Sequence, residues 1–203
     1  NYLTFFLMMS ENPFSMTCEK VGASDGSVNE LVENDFRIFK ELFDYDFGPI
    51  EKDLGINCFS QISNYKAIHK KDLMYNKNVS EKVRSLSKKL EAAKDEKEFF
   101  DAVTGFYKDY GVGMFGLNKA FRIDDTPQGS FTFRAINNMD TVMLDDLVGY
   151  EIQKKKLVDN TEAFVQGKKA NNVLLFGDSG TGKSTSIKAI VNQYYKDGLR
   201  MIE

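Results

Sequence analysis

Through the first half of the chain, apolar residues recur every three or four positions, the spacing that places them on one face of an α-helix. Ser27-Val28-Asn29-Glu30 reads as a capping box. Leu31, Val32, Phe36, Phe39, Leu42 and Phe43 then keep one helix face apolar. Asn78 with Glu81 starts a second such segment, striped by Val79, Val83, Leu86 and Leu90 between charged residues. Asp95 with Glu98 starts a third, carrying Phe99, Phe100, Val103, Phe106, Tyr107 and Tyr110, with Gly111 placed to end it. The run Tyr2 to Met9 reads as a core helix, and Ile56, Cys58, Phe59 and Ile62 as a short one. These stripes predict a helical bundle. The rival reading is an aromatic groove for a peptide or nucleic acid, but stripes at helical spacing usually pack against one another.

The period then changes from helical to alternating. Lys119 to Ile123 and Ser130 to Ile136 flank the turn-rich Asp124-Asp125-Thr126-Pro127-Gln128-Gly129, which predicts a β-hairpin. Beyond Leu144-Asp145-Asp146-Leu147-Val148-Gly149, a helix ends at Gly167, with Leu157 and Val158 echoed by Phe164 and Val165. Val173-Leu174-Leu175-Phe176 is an apolar run of strand length. After it comes a helix with Ile187, Ile190, Val191 and Tyr194 on one face, then the strand-like Leu199 to Ile202. The predicted fold class is α/β overall. It comprises a helical region over residues 1–117, a hairpin connector over 118–139, and a nucleotide-binding module over 140–203.

The chemistry concentrates between the predicted strand and helix, in Gly177-Asp178-Ser179-Gly180-Thr181-Gly182-Lys183-Ser184-Thr185. This matches the phosphate-binding pattern G-x-x-x-x-G-K-[ST] in the strand-to-helix setting that the pattern requires. Glycines allow the backbone to turn successive N–H groups toward a polyphosphate, and the following helix adds its positive end. Lys183 would reach the outer phosphates, and the Ser184 hydroxyl would ligate Mg²⁺. Gly177-Asp178-Ser179-Gly180 also spells a serine-protease nucleophile motif. A triad needs a histidine base, and the one histidine, His69, lies in a distant polar stretch. Gly111-Val112-Gly113-Met114-Phe115-Gly116 satisfies G-x-G-x-x-G, but a helix precedes it where a dinucleotide fold needs a strand. It reads as a loop closing the helical region.

Composition adds limits. With 203 residues, 42% hydrophobic and 28% charged, the chain can build a substantial core. A net charge of −3 supplies no global attraction for nucleic acid. Lys154, Lys155 and Lys156 could touch phosphate but read more simply as a solvated helix face. Cys18 and Cys58 lack metal-ligand spacing and read as reduced, buried thiols of a cytoplasmic protein. Tyr2 to Met9 is too short to span a bilayer, so no membrane association is predicted. The start at Asn1 and the stop at Glu203, within a predicted strand, suggest a piece of something longer.

A Leu-Val-Gly element, one helix, a short basic turn, an apolar strand and a phosphate loop, in that order, resemble the start of an AAA+ ATPase module. Leu144 to Glu203 is similar more narrowly to a group of uncharacterised bacterial AAA+ ATPases known as a domain of unknown function. The resemblance implies that Val148 and Gly149 line an adenine pocket while Gly177, Asp178, Ser179, Gly180, Thr181, Gly182, Lys183, Ser184 and Thr185 hold ATP and Mg²⁺. It implies an ATP hydrolase that forms homo-oligomeric rings and remodels a protein or nucleic-acid client. In that family the Mg²⁺-holding acidic strand end, the polar sensor and the arginine offered by a neighbouring subunit all follow the loop. By this order they fall beyond Glu203, and no catalytic residue is expected in this chain. An alternative of a different class is a nucleotide-dependent switch or scaffold whose helical domain binds a partner without hydrolysis. A P-loop kinase or helicase loader is a third. The same family order places two further strands between Val173–Phe176 and Leu199–Ile202. Without them, these two segments are expected to pair with each other, pair with another chain or be poorly ordered, and nucleotide is expected to be held only loosely by this chain.

Overall fold

Fifteen residues with five aromatic rings between them, Glu96–Tyr110, form the helix around which the first half of the chain packs. The computed structural model describes residues 1–23, 26–63, 77–127, 129–137 and 139–203. The polar stretch containing His69 and Lys66 to Lys71 lies outside the described residues. The architecture is mixed α/β. Its helices are α1 Tyr2–Met9, α2 Pro13–Val21, α3 Ser27–Asp44, α4 Gly48–Leu54, α5 Cys58–Ser63, α6 Lys77–Ala92, α7 Glu96–Tyr110, α8 Gly113–Leu117, α9 Glu151–Val165 and α10 Lys183–Tyr194. Strands β1 Ala120–Asp125 and β2 Phe131–Ala135 precede a 3₁₀ turn at Leu144–Asp146, and β3 is Met201–Ile202.

Helix α7 buries Phe99, Phe100, Val103, Phe106 and Tyr107 against α2, α3, α6 and α8. Phe36 of α3 meets the rings of Phe99 and Phe100 at centroid distances of 5.8 and 5.6 Å, in tilted arrangements that aromatic quadrupoles favour. Asp95 caps α7 by accepting the Glu98 N–H at 2.8 Å, while the Glu98 carboxylate reaches back to the Lys94 N–H at 2.9 Å. Helix α2 has a reciprocal cap of the same kind between Asn12 and Ser15.

Several expectations are corrected. Helix α3 begins one residue early, with Gly26 at the cap position, so Ser27 lies in the first turn and caps nothing there. Its buried face is Val32, Phe36, Phe39 and Phe43, while Leu31 and Leu42 point outward, because three- and four-residue steps from Phe36 miss both positions. Cys18 is buried but Cys58 is exposed, and both are free thiols. Gly113–Leu117 is a single helical turn, where the glycine spacing suggested a loop. The glycines there serve packing: a Cβ on Gly116 would lie 2.3 Å from the Gly111 carbonyl carbon.

The hairpin forms, with Phe121 opposite Ala135, but Asp124 and Asp125, expected in the turn, extend β1 and pair with Thr132 and Phe131, so the turn is shorter than expected. The sheet runs β2-β1-β3, with β3 parallel to β1 and Met201 opposite Ala120. Val173 to Phe176 form no strand, and among the described residues none pairs with them. Leu199 to Ile202 therefore do not pair with Val173–Phe176; the hairpin takes up Met201 and Ile202. The Phe121 carbonyl accepts the Glu203 N–H at 2.9 Å, and the Lys119 carbonyl accepts the Met201 N–H at 3.0 Å.

Apolar burial falls into three clusters. One is built on α1, α2, α3, α6 and α7; a second joins Leu144, Leu157, Ala189, Ile190 and Tyr194; a third joins Ala120, Met139 and Val191. The first connects to α10 through a polar knot at Tyr195. Arg200 donates to the carbonyls of Phe115, Tyr110, Tyr195 and Leu199 at 2.6 to 3.0 Å. Lys82 donates to the Leu117 carbonyl at 2.8 Å and to the Tyr195 hydroxyl, and its ammonium sits 4.2 Å from the Tyr195 ring centre. Burial, with Arg200 and Lys119 close by, lowers the Lys82 pKa to about 7.

Two outcomes test this packing. Gly116→Ala forces a methyl against backbone and should cost about 1–3 kcal/mol, read as a lower melting temperature. For Lys82, whose proton is held less tightly folded than unfolded, the unfolded chain carries more protons from about pH 7 up to the ordinary lysine range. Stability should therefore rise with pH across that window, by at most about 1.4 kcal/mol per unit. Melts from pH 7 to about pH 8, before thiols and phenols ionise appreciably, should show this rise, and Lys82→Met should flatten it. An unchanged slope in Lys82→Met would assign the effect elsewhere.

Candidate functional site

The path from α9 into the glycine-rich loop is fixed by an amide pair. The Asn160 side chain accepts the Asn171 N–H at 2.8 Å and donates to the Asn171 carbonyl at 2.9 Å. From there the chain runs extended through Val173 to Phe176, with Leu174 82% and Phe176 86% exposed. It then turns at Gly177. Gly177, Gly180 and Gly182 have φ of 139°, 81° and 80°, a region that side chains with a Cβ rarely enter.

Helix α10 starts directly behind Gly182 with no side-chain cap and no acidic residue in its first turn. Its first N–H groups thus lack the carboxylate or hydroxyl that usually meets a helix start, and its positive end is available to an anion. Lys183 bends back over the loop. Its ammonium donates to the carbonyls of Gly177 at 2.9 Å and Asp178 at 2.6 Å and to the Thr181 hydroxyl at 3.3 Å. The Thr181 hydroxyl in turn donates to the Asp178 carbonyl at 2.9 Å. The loop is therefore braced around one mobile-ended cation. Further along, the Ser186 hydroxyl donates to the Gly182 carbonyl at 2.9 Å.

Gly180, Thr181, Gly182 and Lys183 form one wall of an open cavity of about 490 Å³. Val148 and Gly149 line the same cavity. Gly177 and Asp178 contact the Lys183 ammonium. Ser179 and Ser184 are exposed and Thr185 is half-buried; none of these three lines the cavity.

Sequence reasoning missed Tyr150, Gln153, Leu157, Leu174, Phe176 and Ser186, which also line it. Two signals were present: Leu174 and Phe176 alternate on one side of an extended run, and Gln153 and Leu157 lie one helical turn apart. Tyr150 has φ 55°, directly after Gly149 at φ 86°. Tyrosine in the left-handed region is uncommon, and such conformations gather at functional positions. Among the basic residues thought to be a solvated face, Lys154 instead caps the preceding turn by donating to the Leu147 carbonyl at 2.7 Å. Lys155 pairs with Asp159 at 3.0 Å on the exposed side.

The residues present fit a polyphosphate group. They comprise a loop of left-handed glycines, an uncapped helix start and a lysine whose carbonyl and hydroxyl partners a phosphate could replace. Among the described residues no group of His, Cys, Asp and Glu is arranged to hold a metal by itself. No helix among them is long and apolar enough to cross a membrane.

Residues 117–203 match the family described as "Protein of unknown function (DUF815)". The chain is also similar to the Replication factor C large subunit of Methanococcus vannielii, 40% identical over 58 residues. That similarity covers 29% of this chain and 12% of the archaeal protein. No solved structure matches the chain.

Proposed function

Starting from the match to that family over residues 117–203, we propose that the chain carries the nucleotide-binding face of an AAA+ ATPase, of the uncharacterised bacterial group that the order of its elements resembles. The observation that carries this reading is the shared cavity. Val148 and Gly149, far from the loop in sequence, line the same cavity as Gly180 to Lys183. That is the pairing needed to seat a base at one end and phosphates at the other.

In this reading ATP lies with its phosphates on the N–H groups of Gly177 to Thr185 and on Lys183, with Ser184 ligating Mg²⁺. Val148 and Gly149, joined by Tyr150 and Leu157, wall the adenine. Bound Mg²⁺ and triphosphate supply the electrophilic phosphorus. This chain's own residues bind and orient it: the loop N–H groups and the α10 start offset phosphate charge, and Lys183 exchanges its carbonyl partners for phosphate oxygens. The groups that activate water are assigned to residues after this module's loop helix. The organisation proposed is a helical domain over 1–117, a connector over 118–139 and the module over 140–203. We assign the intact protein to a cytoplasmic, ring-forming remodeller of a protein or nucleic-acid client.

A nucleotide-dependent switch without hydrolysis is the second reading, favoured by one observation. The helix that begins at Lys183 ends at Tyr195 against Lys82 and Gly116, so its position is tied to the helical region. Calorimetric titration of MgATP into the full-length protein and its Lys183→Ala variant tests the shared premise. Binding should disappear in the variant while its melting temperature stays close to that of the parent, because Lys183 is half-buried over the loop and packs in no core cluster. Equal affinities would overturn the assignment.

A further inference from the structure

A second cavity, of about 540 Å³, opens where α6 and α7 meet the last turn of α10. Its lining includes four lysines, Lys82, Lys89, Lys119 and Lys196, against two carboxylates, Glu81 and Asp109. Among the described residues none of these lysines is ion-paired. Lys82 and Lys119 stand 4.2 and 5.5 Å from the centre of one ring, that of Tyr195, and Arg200 lies 4.1 Å from the same centre. Three cations around one ring concentrate positive potential that no carboxylate at hydrogen-bond distance offsets. Partly desolvated like charges at such spacing repel, and an anion is what relieves that. The Lys82 pKa is lowered first by burial, and Arg200 and Lys119 lower it further.

The donors divide by role. Lys82 spends its N–H groups on the carbonyls of Gly116 and Leu117 and on the Tyr195 hydroxyl, and Lys119 reaches the Asn192 side-chain oxygen at 3.0 Å. The ammonium groups of Lys89 and Lys196 make no hydrogen bond to any described residue, and both residues are exposed. A compact, multiply charged oxyanion suits such a set, since ammonium groups bind phosphate as point charges without the fork geometry of arginine. We propose that this cavity is a binding site for a small phosphorylated anion, separate from the glycine-rich loop.

Inorganic pyrophosphate, titrated calorimetrically at neutral pH and low salt, tests it in the Lys183→Ala chain, whose loop lacks its phosphate lysine. Binding should persist there. It should fall about tenfold or more when Lys89→Gln and Lys196→Gln are added, in line with loss of two charge-assisted contacts. Ser85→Glu, which places a carboxylate on the α6 wall at an exposed position, should give a comparable loss by an independent route. Absence of binding in Lys183→Ala, or affinity indifferent to both the lysine pair and Ser85→Glu, would overturn the proposal. A loss from Lys183→Ala alone would locate all phosphate binding in the loop and so separate this site's failure from that of the nucleotide reading.

Discussion

Burial of one face of α10 is the constraint on which the candidate site depends. Ala189, Ile190 and Tyr194 pack with Leu144 and Leu157, and Val191 packs with Ala120 and Met139. Burying residues of this size contributes about 1.5–3 kcal/mol each for the larger ones, enough to fix the rotation of the helix about its axis. The uncapped start of the helix, at Gly182 and Lys183, lines the cavity. The same cluster includes Leu157 of α9, which lines the cavity together with Val148 and Gly149. Both walls of the cavity are therefore positioned by one apolar contact.

Charge is handled differently at the two ends of that helix. At its start, the positive dipole end and Lys183 share a glycine loop with no carboxylate in the first helical turn. At its end, Tyr195 is held among Lys82, Lys119 and Arg200, whose hydrogen bonds go largely to carbonyls and neutral side chains. Burial, with Arg200 and Lys119 close by, lowers the Lys82 pKa to about 7, while the exposed salt bridges elsewhere, such as Lys155 with Asp159, contribute little. Helix α10 thus links the glycine loop to a cationic knot on the helical region.

Much of this was legible in the sequence because it rests on local rules. The stripes of α6 and α7, the Asp95 cap, the hairpin and the glycine loop are all short-range signals, although the hairpin turn is shorter than its residues predict, with Asp124 and Asp125 paired in β1. Ser27 failed as a cap because cap position depends on where the preceding chain enters, and Gly26 extends the entry by one residue. Val173 to Phe176 has strand composition, but a strand is a property of two neighbours, and among the described residues it has none. The Gly111 to Gly116 pattern carried no dinucleotide chemistry; its close contact between Gly116 and Gly111 is tertiary and invisible to spacing. The Tyr195 knot was equally hidden, since Lys82, Lys119 and Arg200 meet only through long-range packing.

The central claim is that the element around Val148 and Gly149 and the glycine loop bind opposite ends of one nucleotide. Photolabelling of the full-length protein with 8-azido-ATP, which carries its reactive group on the base, tests that geometry directly. The account predicts that the labelled peptide contains Leu147 to Lys154 and that labelling is lost in Lys183→Ala. Label attached outside that peptide, or retained in Lys183→Ala, would contradict it.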